Sequence, residues 1–327
     1  MPAPLPTAGA GTVNFSTQVD SENGCQMQRF VVRRFAFMII SIIGATLVVF
    51  SLSRLAGDPR YLFLGTSYVT PEIWEAWGKE FALDKPLVVQ YGVWLSKAVR
   101  GDFGKSLGTG YPAIDMIRRA IPATLQLASA AWVFSIVTGV LVGVLSAVKR
   151  GSLWDLAGRT FALLGQGLPP FWLGIMLILL FAVRLGWLPT SQRGGIDHYI
   201  LPAITLGWLS AAGMARLFRS AMLEVLDSEY IKFARAKGVG SWLIIWKHAL
   251  KNASIPPLTF GALILAHFLT GTVVTEMVFA WPGLGRLTVI AINNNDFTLM
   301  TAAVMIFTVI YLVVVFLVDI AYAYIDP

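Results

Sequence analysis

The sequence predicts an all-α integral membrane protein with six spanning helices, and three observations carry that prediction. Only 13% of the 327 residues are charged and 56% are hydrophobic, whereas a soluble domain carries about 25% charged residues. Six separate segments are long and apolar enough to cross a bilayer. Lys and Arg collect beside the ends of these segments in an alternating pattern, as expected of a chain held in one orientation.

A spanning helix needs about 20 mostly apolar residues, because about 30 Å of hydrocarbon is crossed at 1.5 Å per residue with every backbone group paired internally. The qualifying segments are 35–52, 123–148, 161–183, 200–215, 255–275 and 299–318. Ahead of the first lie residues 1–28, rich in Ala, Gly, Ser, Thr and Pro and lacking the apolar run of a signal peptide. They are expected to form a disordered cytoplasmic tail, with the first span inside 29–53. Cys25 is the only cysteine, which excludes an internal disulfide and a thiolate metal cluster.

Residues 54–120 are too many for a simple external turn. Trp74, Trp77, Phe81, Val88, Tyr91, Trp94 and Leu95 recur there at roughly helical spacing, which predicts a small folded cap between the first two spans. The remaining residues, 121–327, form the membrane core. In its second span Gly139 and Gly143 make a small-xxx-small pair suited to close approach by another helix, against the alternative of ordinary glycine frequency in membrane helices. The fourth span contains Pro202 and several glycines, and alternation of sides supports it as much as hydropathy does.

Arg29, Arg33 and Arg34 precede the first span, Lys149 and Arg150 follow the second, and the loop 216–253 holds Arg216, Arg219, Lys232, Arg235, Lys237, Lys247 and Lys251. The positive-inside rule places all of these in the cytoplasm, together with both termini. The external loop also carries basic residues, but its length exempts it from the rule and its acidic residues offset most of them. The net charge of +7 and pI of 9.6 therefore report orientation at a lipid membrane, with no basic face that would suit nucleic acid.

Motifs for chemistry are missing. Gly104-Lys105-Ser106 ends like a phosphate-binding loop, but Val99 stands where its first glycine belongs, and Gly108-x-Gly110-x-x-Ala113 follows no strand and contains Pro112. His198, His248 and His267 are far apart and fit no zinc pattern. No catalytic residue, metal site or cofactor is expected of this chain. Two ionisable groups in or near the fifth span are pathway candidates, because charge is costly in a bilayer and usually faces protein or water. His267 would lie beside the path and Glu276 at its outer mouth; alternatively the imidazole bonds across helices and the carboxylate sits at the interface. Asp319 is expected at the inner interface of the last span.

The run 229–252, EYIKFARAKGVGSWLIIWKHALKN, is basic and amphipathic and is expected to be helical on the cytoplasmic side, so it either docks a partner or lies on lipid. It resembles the cytoplasmic coupling motif of the inner-membrane permeases of the dipeptide, oligopeptide and nickel ABC importer family, in particular the oligopeptide permease B type. Other pieces resemble the same family: Leu83-Asp84-Lys85-Pro86 with Gln90-Tyr91 and Gly101-Asp102-Phe103-Gly104-Lys105-Ser106 outside, Ile121-Pro122-Ala123-Thr124-Leu125 entering the second span, and Pro169-Pro170-Phe171-Trp172-Leu173-Gly174 in the third. Phe279-x-Trp281-Pro282-Gly283-Leu284-Gly285-Arg286-Leu287 resembles its outer loop before the last span, and Asp326-Pro327 its close. The likeness covers 29–327. The chain departs from the broader importer motif in having Lys232, Phe233 and Ala234 before Gly238, and His248, Ala249, Leu250 and Lys251 after it.

The resemblance implies a type I ABC importer permease fold working by alternating access. Its implied partners are a second homologous permease, two ATPase subunits that supply ATP and Mg, and an extracytoplasmic solute-binding protein at a bacterial or archaeal inner membrane. Short peptides are the implied cargo, with a nickel chelate, opine, glutathione or sugar as alternatives. Contact with the ATPase would fall to Glu229, Tyr230, Ala234, Arg235, Ala236, Lys237 and Gly238, and Trp281, Pro282, Gly283 and Gly285 would form the external motif. Small Ala234 and Gly238 permit close approach, and Arg235 and Lys237 can meet acidic groups. The rival from another class, an ion-coupled secondary transporter, should place paired charges within its spans.

Overall fold

The computed structural model describes residues 15–55, 60, 70–80 and 82–325. Among these the chain is helical, without a strand. The elements are α1 (Phe15–Leu55), α2 (Pro71–Glu80), α3 (Leu87–Val99), α4 (Ala113–Val148), α5 (Leu153–Gly167), α6 (Pro170–Arg184), α7 (Asp197–Leu226), α8 (Glu229–Ala236), α9 (Ser241–Ala253), α10 (Ile255–Val278), α11 (Leu284–Asn293) and α12 (Phe297–Ile325). Helices α1, α4, α7 and α12 are each long and apolar enough to span, and the bent pairs α5–α6 and α9–α10 complete six.

Helix α1 starts well ahead of its span, since no proline falls between residues 15 and 55 to stop it. Of the tail read from the sequence, residues 1–14 lie outside the described residues, as do Phe81, the side chain of Trp77 and the closing Asp326-Pro327. Within 54–120 the helices α2 and α3 form. Tyr91 and Trp94 of α3 pack on Phe50 of α1, with ring centroids 5.4 and 5.8 Å away, and the Tyr91 and Thr46 hydroxyls lie 2.8 Å apart.

The segment 161–183 is not one straight helix. Leu168 and Pro169 are extended, and the axis turns through 111° between α5 and α6. Two consecutive prolines explain the break: Pro169 pushes the residue before it out of helical conformation, and neither ring nitrogen can donate. The turn between α9 and α10 is gentler, 54°, just ahead of Pro256 and Pro257. Helix α7 runs to Leu226, past the expected end at 215, because its polar inner turns find partners within the protein.

Helices α4 and α7 pack along most of their length. A Cβ on Gly139 would sit 2.5 Å from the Met214 side chain, and one on Gly143 would sit 2.6 Å from the Ala215 carbonyl and the Phe218 Cβ. Both glycines of the small-xxx-small pair thus receive a helix of the same chain. Ser135 Oγ donates across this seam to the Gly207 carbonyl at 2.9 Å. Helix α1 lies on α12, joined by the Arg34–Asp319 ion pair at 3.0 Å and the Phe35–Phe316 edge contact, which puts Asp319 level with the arginines preceding the first span.

Candidate functional site

The resembling motifs collect into two places at opposite ends of α10. At one end, α8 and α9 form a short hairpin. Ile231 is fully buried and anchors α8. The Asn252 amide donates to the Tyr230 hydroxyl at 2.8 Å, and that hydroxyl donates to the His248 carbonyl at 3.3 Å, so Tyr230 ties α8 to α9. Helix α8 ends where the Val239 amide reaches the Ala234 carbonyl and the Gly238 amide the Arg235 carbonyl, both near 3 Å, with Gly238 at φ +79°. This is the paired C-terminal closure that favours glycine in the left-handed region.

That geometry leaves one face open. Phe233, Arg235, Ala236, Lys237 and Gly238 are exposed, Phe233 by 69%, and Ala234 is partly buried. Nothing lies within 4 Å of a Cβ placed on Gly238. The exposed Glu229–Lys232 pair at 2.8 Å contributes little, as solvated pairs do. An aromatic ring, two cations and an unobstructed glycine thus stand together on one open surface.

At the other end the external motif closes into a buried knot around Glu276, which has no solvent exposure. Thr124 Oγ1 donates to Glu276 Oε1 at 2.7 Å, and the Arg286 amide donates to Oε2 at 2.8 Å. Thr124 Oγ1 in turn accepts the Leu284 amide at 2.7 Å. The carboxylate therefore occupies the N-terminus of α11, where amides without intrahelical partners and the helix dipole favour an anion. Trp281 is fully buried and donates its indole N–H to the Ala123 carbonyl at 2.9 Å. Gly283 and Gly285 are buried beside the carboxylate, while Pro282 is exposed.

Glu276 is thus enclosed by the chain. His267 is exposed between buried Ala266 and Phe268, nine residues down the same helix, about 13 Å of rise, so the two candidates do not meet. Gly174 of the third-span motif reaches the knot's outer shell, its Cβ position 3.2 Å from Phe279. The outer loop motif docks beside it: Ser106 Oγ donates to buried Asp296, which also accepts the Leu299 amide at 3.0 Å and so caps α12.

One further cluster had no signal in the sequence. Asp155, in the first turn of α5, is buried, and its carboxylate accepts Ser146 Oγ at 2.7 Å and the Gly151 amide at 3.0 Å. Arg219 of α7 grips both carboxylate oxygens, Nε at 2.7 Å and Nη2 at 3.2 Å. This bolt joins α4, α5 and α7, and it uses an arginine that sequence patterning treats only as a topological charge.

Residues 139–327 match the family described as binding-protein-dependent transport system inner membrane component. A di/tripeptide transport system permease protein of Pseudomonas aeruginosa is 37% identical, with 92% of this chain and 98% of that one covered. A dipeptide transport system permease protein of Alkalihalophilus pseudofirmus is 36% identical over 92% and 99%. A glutathione transport system permease protein of Escherichia coli is 37% identical over 92% and 98%. Among solved structures, the MetNI methionine ABC transporter in inward-facing conformations aligns with a TM-score of 0.54 at 20% identity, over 65% of this chain and 97% of that one. An amino acid ABC transporter with histidines aligns at 0.51 and 15% identity, over 64% and 93%. Both are likenesses of fold.

Proposed function

Because the chain belongs to the family of binding-protein-dependent transport system inner membrane components, as a permease subunit of an ABC importer, we propose that it forms half of a pathway for short peptides. A second homologous permease supplies the other half. Two ATPase subunits dock from the cytoplasm, where they hold ATP and Mg and carry out hydrolysis, and a solute-binding protein delivers cargo from outside. Both termini lie in the cytoplasm. Peptides are chosen over a nickel chelate, opine or sugar because the relatives at 36–37% identity are named for dipeptides, tripeptides and glutathione. Glutathione is itself a tripeptide.

The single observation that carries the docking half of this reading is α8, anchored by Ile231 and Tyr230 on one side while Phe233, Arg235, Lys237 and Gly238 stand open on the other. ATP-driven closure of the ATPases draws this helix toward its counterpart and opens the pathway outward; hydrolysis and release return it inward. The test is binding-protein-stimulated ATPase activity of the purified complex with two substitutions at Gly238. Gly238→Asn tolerates φ +79° and is expected to retain most activity, whereas Gly238→Arg fills the open face and is expected to abolish it. Full activity in Gly238→Arg overturns the docking role. Orientation is tested separately, with Arg150→Cys in a Cys25→Ser background. An impermeant maleimide should label it only after the cells are lysed, and labelling of intact spheroplasts places this turn outside.

A further inference from the structure

Three arginines converge where α4, α5 and α7 meet, at the end of the bundle that carries Lys149 and Arg150. They line a cavity of about 390 Å³ with Gln166 and small or apolar residues such as Ala162 and Leu163. Arg159 comes from α5, and Arg216 and Arg219 from α7. One carboxylate faces them. Asp155 is held bidentately by Arg219 and approached by Arg159 at 3.7 Å, and the partner found for Arg216 is the neutral Gln166 amide oxygen at 3.3 Å. Three guanidinium charges against one carboxylate leave a surplus of two positive charges in a recess between spanning helices.

We propose that this recess binds the headgroup of an anionic phospholipid of the inner leaflet. The charge surplus and the planar N–H arrays of Arg159 and Arg216 match a phosphodiester, and basic pockets between spans on the cytoplasmic side are suited to such headgroups. An independent observation selects lipid over a free anion: α5 borders the recess with the apolar side chain of Leu163, which is 75% exposed. Its other side carries an apolar groove of about 490 Å³ with Phe161 and Trp208 in edge contact at 4.8 Å. Hydrocarbon chains can cover these surfaces, and a soluble phosphate cannot. The headgroup would bridge α5 to α7 and reinforce the Asp155–Arg219 bolt. The proposal rests on placing the 149–152 turn in the cytoplasm.

The test uses the complete complex in nanodiscs of phosphatidylcholine alone or with phosphatidylglycerol added, comparing wild type with the double variant Arg159→Gln, Arg216→Gln, which leaves Arg219 and Asp155 in place. By native mass spectrometry the wild type should retain phosphatidylglycerol against an excess of phosphatidylcholine, and the double variant about tenfold less. Phosphatidylglycerol should also raise the melting temperature of the wild type alone. Equal retention by both proteins overturns the proposal. So does equal stabilisation by inorganic phosphate, or by a dipeptide, in phosphatidylcholine discs, since either assigns the recess to a soluble anion. ATPase activity stimulated by binding protein is read in the phosphatidylcholine discs of the same series. Its absence from the wild type would count against the importer reading and leave the lipid result standing, and the Arg150→Cys labelling isolates an error of orientation.

Discussion

Replacing Gly283 by alanine tests the external knot at its tightest point. Gly283 sits at φ −96°, ψ 177°, a conformation open to any residue, so the substitution acts through contact alone. An added Cβ would overlap Glu276 Oε1 and Cδ and lie 2.5 Å from Oε2. The carboxylate has to swing away, giving up the Thr124 hydroxyl at 2.7 Å and the Arg286 amide at 2.8 Å. Hydrogen bonds to a charged group contribute about 1.5–3 kcal/mol each, so losing both, with partial repair by water, costs about 3–5 kcal/mol. At about 2 °C per kcal/mol for a chain of this size, the apparent melting temperature of the purified complex falls by about 6–10 °C. Glu276→Ala alone is also destabilising, since it orphans the same donors. The decisive measurement is the double variant Gly283→Ala, Glu276→Ala, in which the overlap partner is gone. It should be less destabilised than the sum of the single variants by about 2 kcal/mol or more. A wild-type melting profile for Gly283→Ala, or strict additivity in the cycle, refutes the assignment of Glu276 as the cap of α11.

Three other outcomes follow from the same geometry. Gly139→Val should cost about 3 kcal/mol or more through overpacking against Met214, seen as loss of monodisperse protein in detergent; Gly92→Ala, where nothing lies within 4 Å, should be neutral or slightly stabilising. Asp155→Ala strands Arg219 and should cost about 3–5 kcal/mol, read as a fall in melting temperature that Asp155→Ala, Arg219→Met largely restores. Phe233→Ala, at an exposed position, should leave permease stability within about 0.5 kcal/mol while cutting stimulated ATPase activity about tenfold; unchanged activity would remove Phe233 from the docking surface.

Hydropathy located the spans because lipid imposes the same length requirement on every segment, and it failed where polar groups are satisfied inside the protein. Arg216 and Arg219 end the apolar window of the fourth span, yet α7 continues past them since Gln166 and Asp155 receive their charges. The third span reads as a single run because hydropathy is blind to direction; the 111° turn at Leu168 comes from Pro169-Pro170, two residues that hydropathy averages into the apolar run around them. Gly139 and Gly143 were legible as a contact surface, although spacing alone could not say that α7 is the helix they receive.

The site was legible in pieces. The open face of α8 follows from local pattern, since an amphipathic octapeptide closed by glycine exposes its basic side wherever it is placed. The knot does not follow in this way. Thr124 and Glu276 are 152 residues apart, and each motif at the level of sequence looks like an ordinary helix entry or loop. Only the fold makes Glu276 an internal ligand, enclosed by groups of its own chain.

Helix α10 connects the two places, and the way it is held at each end restricts how it can move. A residue of an α-helix turns through about 100° relative to the next, so even a small rotation of α10 about its own axis would swing Glu276 away from Thr124 and the α11 amides. The knot therefore acts as a key in a slot: it forbids spin and leaves tilt. The 54° elbow ahead of Pro256 and Pro257 supplies the pivot at the α8–α9 end. A push on α8 would then reach the far end of α10 as a swing of one stiff rod, carrying with it the ends of α4 and α11 that the knot holds.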